Sequence, residues 1–246
     1  MRKWMLGCLA LAVVPALAFA APPAPKKEGI EGKGYVWNAE EGEKLEAMKK
    51  KGDAKRGEEA YEVCGACHLP NGAGRPDGTF PQLAGQHASV LIKQMADIRA
   101  GLRDNPTMYP FAQQLTDPQE LADVAAYIQT LCIPVDHGKG TGDAKLLAEG
   151  KALYEKECQT CHGPNGEGDA KKFYPVIAGQ HYKYLLRQMT EIRDGKRRNA
   201  NPDMVKVIGK YNERQLTAIS EYQASLVMPG SMCKAKAPAK APAKKK

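Results

Sequence analysis

Two pentapeptides carry the residues best suited to chemistry: Cys64-Gly65-Ala66-Cys67-His68 and Cys158-Gln159-Thr160-Cys161-His162. Cys-x-x-Cys-His is the attachment signature of a c-type haem. Two thiols spaced by two residues at a helix end can add to the two vinyl groups of one porphyrin, and the adjacent histidine then falls under the iron. A zinc site would need further Cys or His ligands at matching spacing. A thiol–disulfide pair would need neither the histidine nor its repetition. The sequence therefore predicts two covalently bound haem c groups, attached through Cys64 and Cys67 and through Cys158 and Cys161. His68 and His162 are the expected proximal iron ligands.

The second axial ligand has to come from elsewhere in the chain. His87 and His181 repeat, but they stand at the start of a helix, where a capping or surface role suits them better. Met95 and Met189 also repeat, and each shares an apolar stripe with Leu and Ile, which core packing explains. Met108 and Met204 differ, because each follows Asn-Pro-x in an expected irregular loop, 40 and 42 residues after the proximal histidine. The proline breaks the preceding helix and frees the loop to approach the opposite haem face. Met108 and Met204 are the expected distal ligands.

These residues must be positioned by two copies of one unit. Phe80 to His87 matches Tyr174 to His181, and Gln94-Met95 with Ile98-Arg99 matches Gln188-Met189 with Ile192-Arg193, all at an offset of 94 residues. The offset becomes 96 at Asn105 to Met108 against Asn201 to Met204, and 95 at Tyr127/Tyr222. The units span residues 53–134 and 144–233, joined by a glycine-rich linker, 135–143. Each predicts three main helices. The first runs into the cysteines (Lys55 to Val63; Leu146 to Glu157). The second carries Leu91, Met95 and Ile98, or Leu185, Met189 and Ile192, at helical spacing. The third begins at Thr116 or Asp117 with Pro118 behind it and runs to Leu131, with Glu213 to Leu226 as counterpart. The predicted fold class is all-α.

At the chain start, Arg2 and Lys3 precede a mostly apolar run to Phe19 and an Ala18-Phe19-Ala20 cleavage pattern, which reads as a signal peptide over residues 1–20 and places the protein in the periplasm. Residues 21–52 form a Pro/Ala/Lys linker and an N-terminal extension containing Tyr35-Val36-Trp37 and a charged helix, Ala39 to Lys51. Residues 234–246 are a Lys/Ala/Pro tail that cannot bury a core. The formal charge of +8 belongs to the two ends, because residues 21–233 hold 28 basic and 28 acidic residues. A nucleic-acid-binding body is thereby excluded. The tail is left as a solubilising segment or as a peripheral contact with a membrane or acidic partner.

The two units resemble class I cytochrome c domains, and the whole resembles the di-haem cytochrome c4 family. The resemblance rests on the Cys-x-x-Cys-His pairs, the Pro-x-x-Ala-Gly-Gln segments and the Asn-Pro-x-Met loops, and covers about Asp53 to Leu226. It implies that the carbonyls of Pro81 and Pro175 orient His68 and His162. It also implies that the first and last helices cross where Gly57 and Tyr61 meet Tyr127, and where Gly150 and Tyr154 meet Tyr222. The implied function is electron transport, not catalysis, since His/Met ligation leaves no open iron position. Redox proteins are the expected partners: a quinol-oxidising complex or dehydrogenase as donor and a terminal oxidase or reductase as acceptor. An electron-transfer subunit of an oxidoreductase and a di-haem enzyme are the alternatives.

The sequence also departs from the family pattern. Residues 28–52 and the tail are additions. The first unit has two residues between Tyr61 and the first haem cysteine, whereas the second has three after Tyr154. Cys132 and Cys233 are extra, and in an oxidising compartment they form either a disulfide tying the end of unit two to unit one or two free thiols. Arg99, Arg103, Arg193 and Arg197 are placed either to neutralise haem propionates or as solvated surface residues.

Overall fold

A computed structural model of the chain describes Trp37, residues 42–115 and residues 117–233. The expected signal peptide, the linker after it, Tyr35 and Val36, Thr116 and the lysine tail lie outside the described residues. Helix α1 (Gly42–Lys49) belongs to the extension and ends two residues before the Lys51 expected, while its expected start at Ala39 lies outside the described residues. Unit one then contributes α2 (Ala54–His68), α3 (Ala88–Arg99), α4 (Tyr109–Ala112) and α5 (Pro118–Thr130). Unit two contributes α6 (Ala144–Leu153), α7 (Gln159–His162), α8 (Tyr182–Arg193), α9 (Pro202–Ile208) and α10 (Glu213–Gln223).

Local chemistry sets the helix starts. Asp53 and Asp143 each accept two backbone N–H groups at the heads of α2 and α6. Asp117 caps α5 with Pro118 at the first helical position. Asn212 and Gln215 form a reciprocal capping box on α10. Such caps satisfy amide donors that the first turn leaves orphaned, and each is worth about 1 kcal/mol.

Three expectations need correction. The first helix of unit one does not stop at Val63 but runs through the cysteines to His68. The methionine segments are not wholly irregular either: Asn201 caps α9 with Pro202 behind it, which puts Met204 in the first turn, and Met108 is the N-cap of α4. Nor does the proline break the preceding helix: α3 and α8 end at Arg99 and Arg193, ahead of the positive-φ glycines Gly101 and Gly195, well before Pro106 and Pro202. Pro202 instead opens α9, because its fixed φ and missing N–H suit the first helical position.

The first and last helices of each unit pack at a glycine. A Cβ on Gly57 would collide with the Asp123 carbonyl, and one on Gly150 with the Ala218 carbonyl. The tyrosine rings beside each crossing lie 5.4 Å apart for Tyr61/Tyr127 and 5.3 Å for Tyr154/Tyr222. Unit two accommodates its extra residue as a single π-helical turn, Tyr154–Cys158. That turn keeps Tyr154 and the cysteines in register: the Tyr61 hydroxyl donates to the Leu69 carbonyl and the Tyr154 hydroxyl to the equivalent Gly163 carbonyl. A one-residue insertion absorbed this way is the usual origin of a π-bulge.

The chain between the units is pinned to unit two. His137 bonds the Ala224 carbonyl, and the Glu221 carboxylate accepts the Gly142 N–H. Strand β1 (Ile133–Pro134) pairs in parallel with β2 (Met232–Cys233). Ile133 is fully buried in the core of unit two. Beside this ladder Cys132 and Cys233 are joined as a disulfide, with Cα atoms 6.0 Å apart.

Candidate haem-binding sites

The four remaining described cysteines, Cys64, Cys67, Cys158 and Cys161, are unpaired. Together with His68, His162, Met108 and Met204 they line a cavity of about 780 Å³ that extends through both units. The rest of the lining is mostly apolar, including Leu91, Met95 and Ile98 from α3 and Leu185, Met189 and Ile192 from α8. Burial pushes the Cys64 thiol up to about 11 and the Cys158 thiol up to about 12. Neutral thiols against apolar walls are ill suited to thiolate redox chemistry. Among the described residues no three His, Cys, Asp or Glu side chains converge as ligands for a bare metal ion.

The histidines are set for one role. His68 Nδ1 lies 2.9 Å from the Pro81 carbonyl oxygen and His162 Nδ1 lies 3.3 Å from that of Pro175. A carbonyl only accepts, so each ring carries its proton on Nδ1 and keeps the lone pair on Nε2. Burial also lowers both histidine pKa values, holding the rings neutral. Two thiols, a neutral imidazole with one nitrogen already engaged, a thioether sulfur and apolar walls, repeated in each unit, suit a covalently attached porphyrin.

At the boundary between the units, the contacts one makes on the other are returned. The Gln86 amide donates to the Val176 carbonyl at 2.9 Å and accepts the Val176 N–H at 2.9 Å. Gln180 does the same with the Gln82 backbone, at 2.9 and 3.0 Å. His87 Nε2 reaches the Glu167 carbonyl at 2.8 Å and His181 Nε2 the Ala73 carbonyl at 2.9 Å. This reciprocity is what an approximate twofold axis produces. It corrects the reading of His87 and His181: both stand at helix N-caps without a side-chain cap bond, and they serve the interface instead.

The arginines divide. Arg99 binds Glu43 of the extension and Arg193 binds Asp194, and neither lines the cavity. Arg103 and Arg197 do line it, and both donate to the side-chain oxygens of both Gln94 and Gln188. Burial and the neighbouring Arg103 draw Arg197 down to about 10. Two adjacent guanidiniums held by neutral glutamines give this wall of the cavity a positive edge, which fits the carboxylates of a haem.

The extension joins both units. Asp97, fully buried, takes Lys93 Nζ at 2.5 Å, Lys44 Nζ of α1 at 3.4 Å and the Asn199 amide of unit two at 2.9 Å. Trp37 lines the cavity, stacks on Tyr174 and meets Phe173 edge-on, with Lys93 over its ring at 5.1 Å. Sequence reasoning missed these interface glutamines and this lysine–aspartate cluster. A repeated glutamine inside an otherwise apolar stripe, as at Gln94 and Gln188, is the signal that would have found the former.

The cytochrome c family model matches twice, over residues 54–132 and 147–226, and leaves Trp37 and α1 outside. The chain is 38% identical over 181 residues to cytochrome c4 of Pseudomonas aeruginosa, covering 70% of this chain and 87% of that protein. It is 34% identical over 178 residues to a thiosulfate dehydrogenase electron acceptor of Stutzerimonas stutzeri, covering 68% and 80%. The crystal structure of reduced recombinant cytochrome c4 from Pseudomonas stutzeri superposes with a TM-score of 0.63 at 32% identity, over 72% of this chain and all of that one. With two matched domains and this coverage, the chain belongs to the cytochrome c family, in its cytochrome c4 branch, and is a di-haem electron-transfer protein with a covalent haem c in each unit.

Proposed function

We propose that the protein is a periplasmic shuttle whose two haems are each held by one histidine and one methionine, His68 with Met108 and His162 with Met204. The observation that carries this reading is the repeated geometry of the histidines. In each unit Nδ1 is tied to a proline carbonyl, and that unit's two cysteines and methionine line the same cavity. Bound haem iron supplies a one-electron couple, and methionine ligation favours its reduced state. The chain's own part is to fix each imidazole, offer a methionine as the second iron ligand in each unit and exclude water with apolar walls. A site closed in this way suits outer-sphere electron transfer and leaves no position for substrate, so the protein is read as a carrier and not an enzyme.

Export through residues 1–20 places it in the periplasm, with a quinol-oxidising complex or dehydrogenase as donor and a terminal oxidase or reductase as acceptor. The relative that serves as a thiosulfate dehydrogenase electron acceptor favours a second arrangement, a dedicated subunit or acceptor of one oxidoreductase. Visible spectra of both oxidation states test the ligation. Two low-spin haems with a methionine–iron charge-transfer band accounting for both ferric sites are expected; a high-spin or cysteine-ligated haem would overturn it. Co-purification with one fixed catalytic partner would favour the subunit over the free shuttle.

A further inference from the structure

The approximate twofold between the units is broken at one corner of the cavity. In unit one that corner is lined by Thr79 and Phe80, directly ahead of the Pro81 carbonyl that holds His68. Unit two reaches across to it, the Arg187 guanidinium donating to the Gly78 carbonyl at 2.8 Å. The repeat offset of 94 residues carries Thr79 and Phe80 to Phe173 and Tyr174, and carries Arg187 back to Lys93. Lys93 turns instead to Asp97, at 2.5 Å. The corner of unit two is met by Trp37, a residue from outside the repeat, whose ring centroid lies 6.2 Å from that of Phe173 and 6.3 Å from that of Tyr174.

This corner adjoins the groups that would hold a haem. Tyr174 leads directly into Pro175, whose carbonyl faces His162 Nδ1, and the Tyr174 hydroxyl lies beside the Cys161 thiol. Phe173 is buried and takes left-handed backbone, with φ 56°, a conformation that costs a residue with a side chain. Unit one gives the neighbouring left-handed position to a glycine, Gly78. Unit two thus spends backbone strain where its aromatic ring meets Trp37.

Trp37 is brought to unit two from a base on unit one. Ala47 of α1 is fully buried in the unit-one core, Glu43 pairs with Arg99, and Lys44 lies 3.4 Å from Asp97. Lys93 of unit one sits over the Trp37 ring at 5.1 Å, a cation–π contact that holds the indole from that side.

We propose that Trp37 is a positioning residue of the unit-two redox site: carried on an extension rooted in unit one, it closes the Phe173–Tyr174 corner against water and raises the potential of the unit-two haem alone. This rests on the His/Met electron-carrier reading above and adds to it a residue that acts on one haem only. A dry, apolar surrounding disfavours the ferric state, which carries the extra charge, so the shell around a haem sets its potential. A flat ring laid on two others supplies that surrounding at the one corner where the repeat does not.

The test is a spectroelectrochemical titration of the exported holoprotein, with Met204→Ala marking the unit-two wave. Wild type, W37A, W37F and the anchor variant E43Q/K44Q are compared, and low-spin spectra from two haems confirm that each is folded. W37A should lower the unit-two midpoint by the equivalent of about a fivefold loss in the reduction equilibrium constant, since solvent exposure is one of the levers on a haem's potential, and leave the unit-one midpoint in place. W37F should keep most of the wild-type value, because a ring still covers the corner. E43Q/K44Q should move the same wave in the same direction, by less.

Two waves shifting together in W37A would mean a general loosening of the interface and would overturn the proposal. So would two unmoved waves in W37A or in E43Q/K44Q, or a W37F midpoint as low as that of W37A. A Met204→Ala protein in which no single wave moves would count against the methionine ligation instead, and the Trp37 variants would still be decided by whether they shift one wave or both.

Discussion

Units one and two hold the same set of site residues and differ in how the chain reaches and surrounds it. Unit one brings its cysteines in on an uninterrupted helix, Ala54–His68, while unit two reaches the same point through α6, a π turn and α7. The tyrosine-to-carbonyl bond, the histidine-to-proline contact and the glycine crossing survive the inserted residue. The difference teaches which parts of the unit tolerate change. Geometry at the cavity wall is kept, and the helix feeding it can take up slack.

The strongest way to break the likeness is at the crossings. Gly57→Val and Gly150→Val each drive a side chain into a backbone carbonyl of the facing helix, which no rotamer relieves. Each should cost on the order of 3 kcal/mol or more and unfold its own unit first. Thermal melts followed at each haem would show it; equal melting of both units in either variant would mean that the units do not fold separately. A smaller loss is expected from removing the staple between Cys132 and Cys233, which closes a loop of 101 residues. Cys132→Ser with Cys233→Ser should lower stability by roughly 2–4 kcal/mol in denaturant titrations while leaving both haem spectra unchanged.

Acid should loosen the interface on the His181 side. His181 accepts the Gly138 N–H on Nδ1 and donates from Nε2 to the Ala73 carbonyl, so only the neutral ring makes both bonds. Burial pulls its pKa down to about 4. Because the unfolded ring titrates near 6.5 and the folded one lower, its contribution is complete above about pH 6.5 and is lost as the pH falls toward 4. His181→Gln should flatten stability measured across that window; an unchanged slope would show that another group dominates. The smallest effect is expected at the π turn. Deleting Glu155 should convert Tyr154–Cys158 to ordinary α-helix and leave the unit-two haem spectrum intact, whereas deleting Glu62 in unit one should displace Cys64 and disturb its haem.

Most of the site was legible in the sequence because its signals are local. Cys-x-x-Cys-His and Asn-Pro-x-Met depend on spacings within a turn or two, and the repeat supplied each one twice. The helices followed from apolar stripes such as Leu91, Met95 and Ile98. Contacts made across 80 to 110 residues of chain were not legible. Nothing near Gln86 or His181 in sequence points to the Val176 or Ala73 backbone that each one binds. The same holds for Trp37, whose aromatic partners lie in the second unit while Lys93 comes from the first. The short helices α4 and α9 escaped because Asn-Pro reads as a breaker, whereas a proline just behind a cap suits the first helical position, as Pro202 does in α9.

The central claim is that each unit closes its own haem with its own methionine. A spectroelectrochemical titration of the wild type, Met108→Ala and Met204→Ala tests it most directly. Two one-electron waves are expected. Met108→Ala should lower only one midpoint and Met204→Ala only the other, within the ~0.8 V span that axial ligation covers, each with loss of half the methionine–iron band. A wild type containing a high-spin haem, or a methionine variant that leaves both waves and the band unchanged, would contradict it.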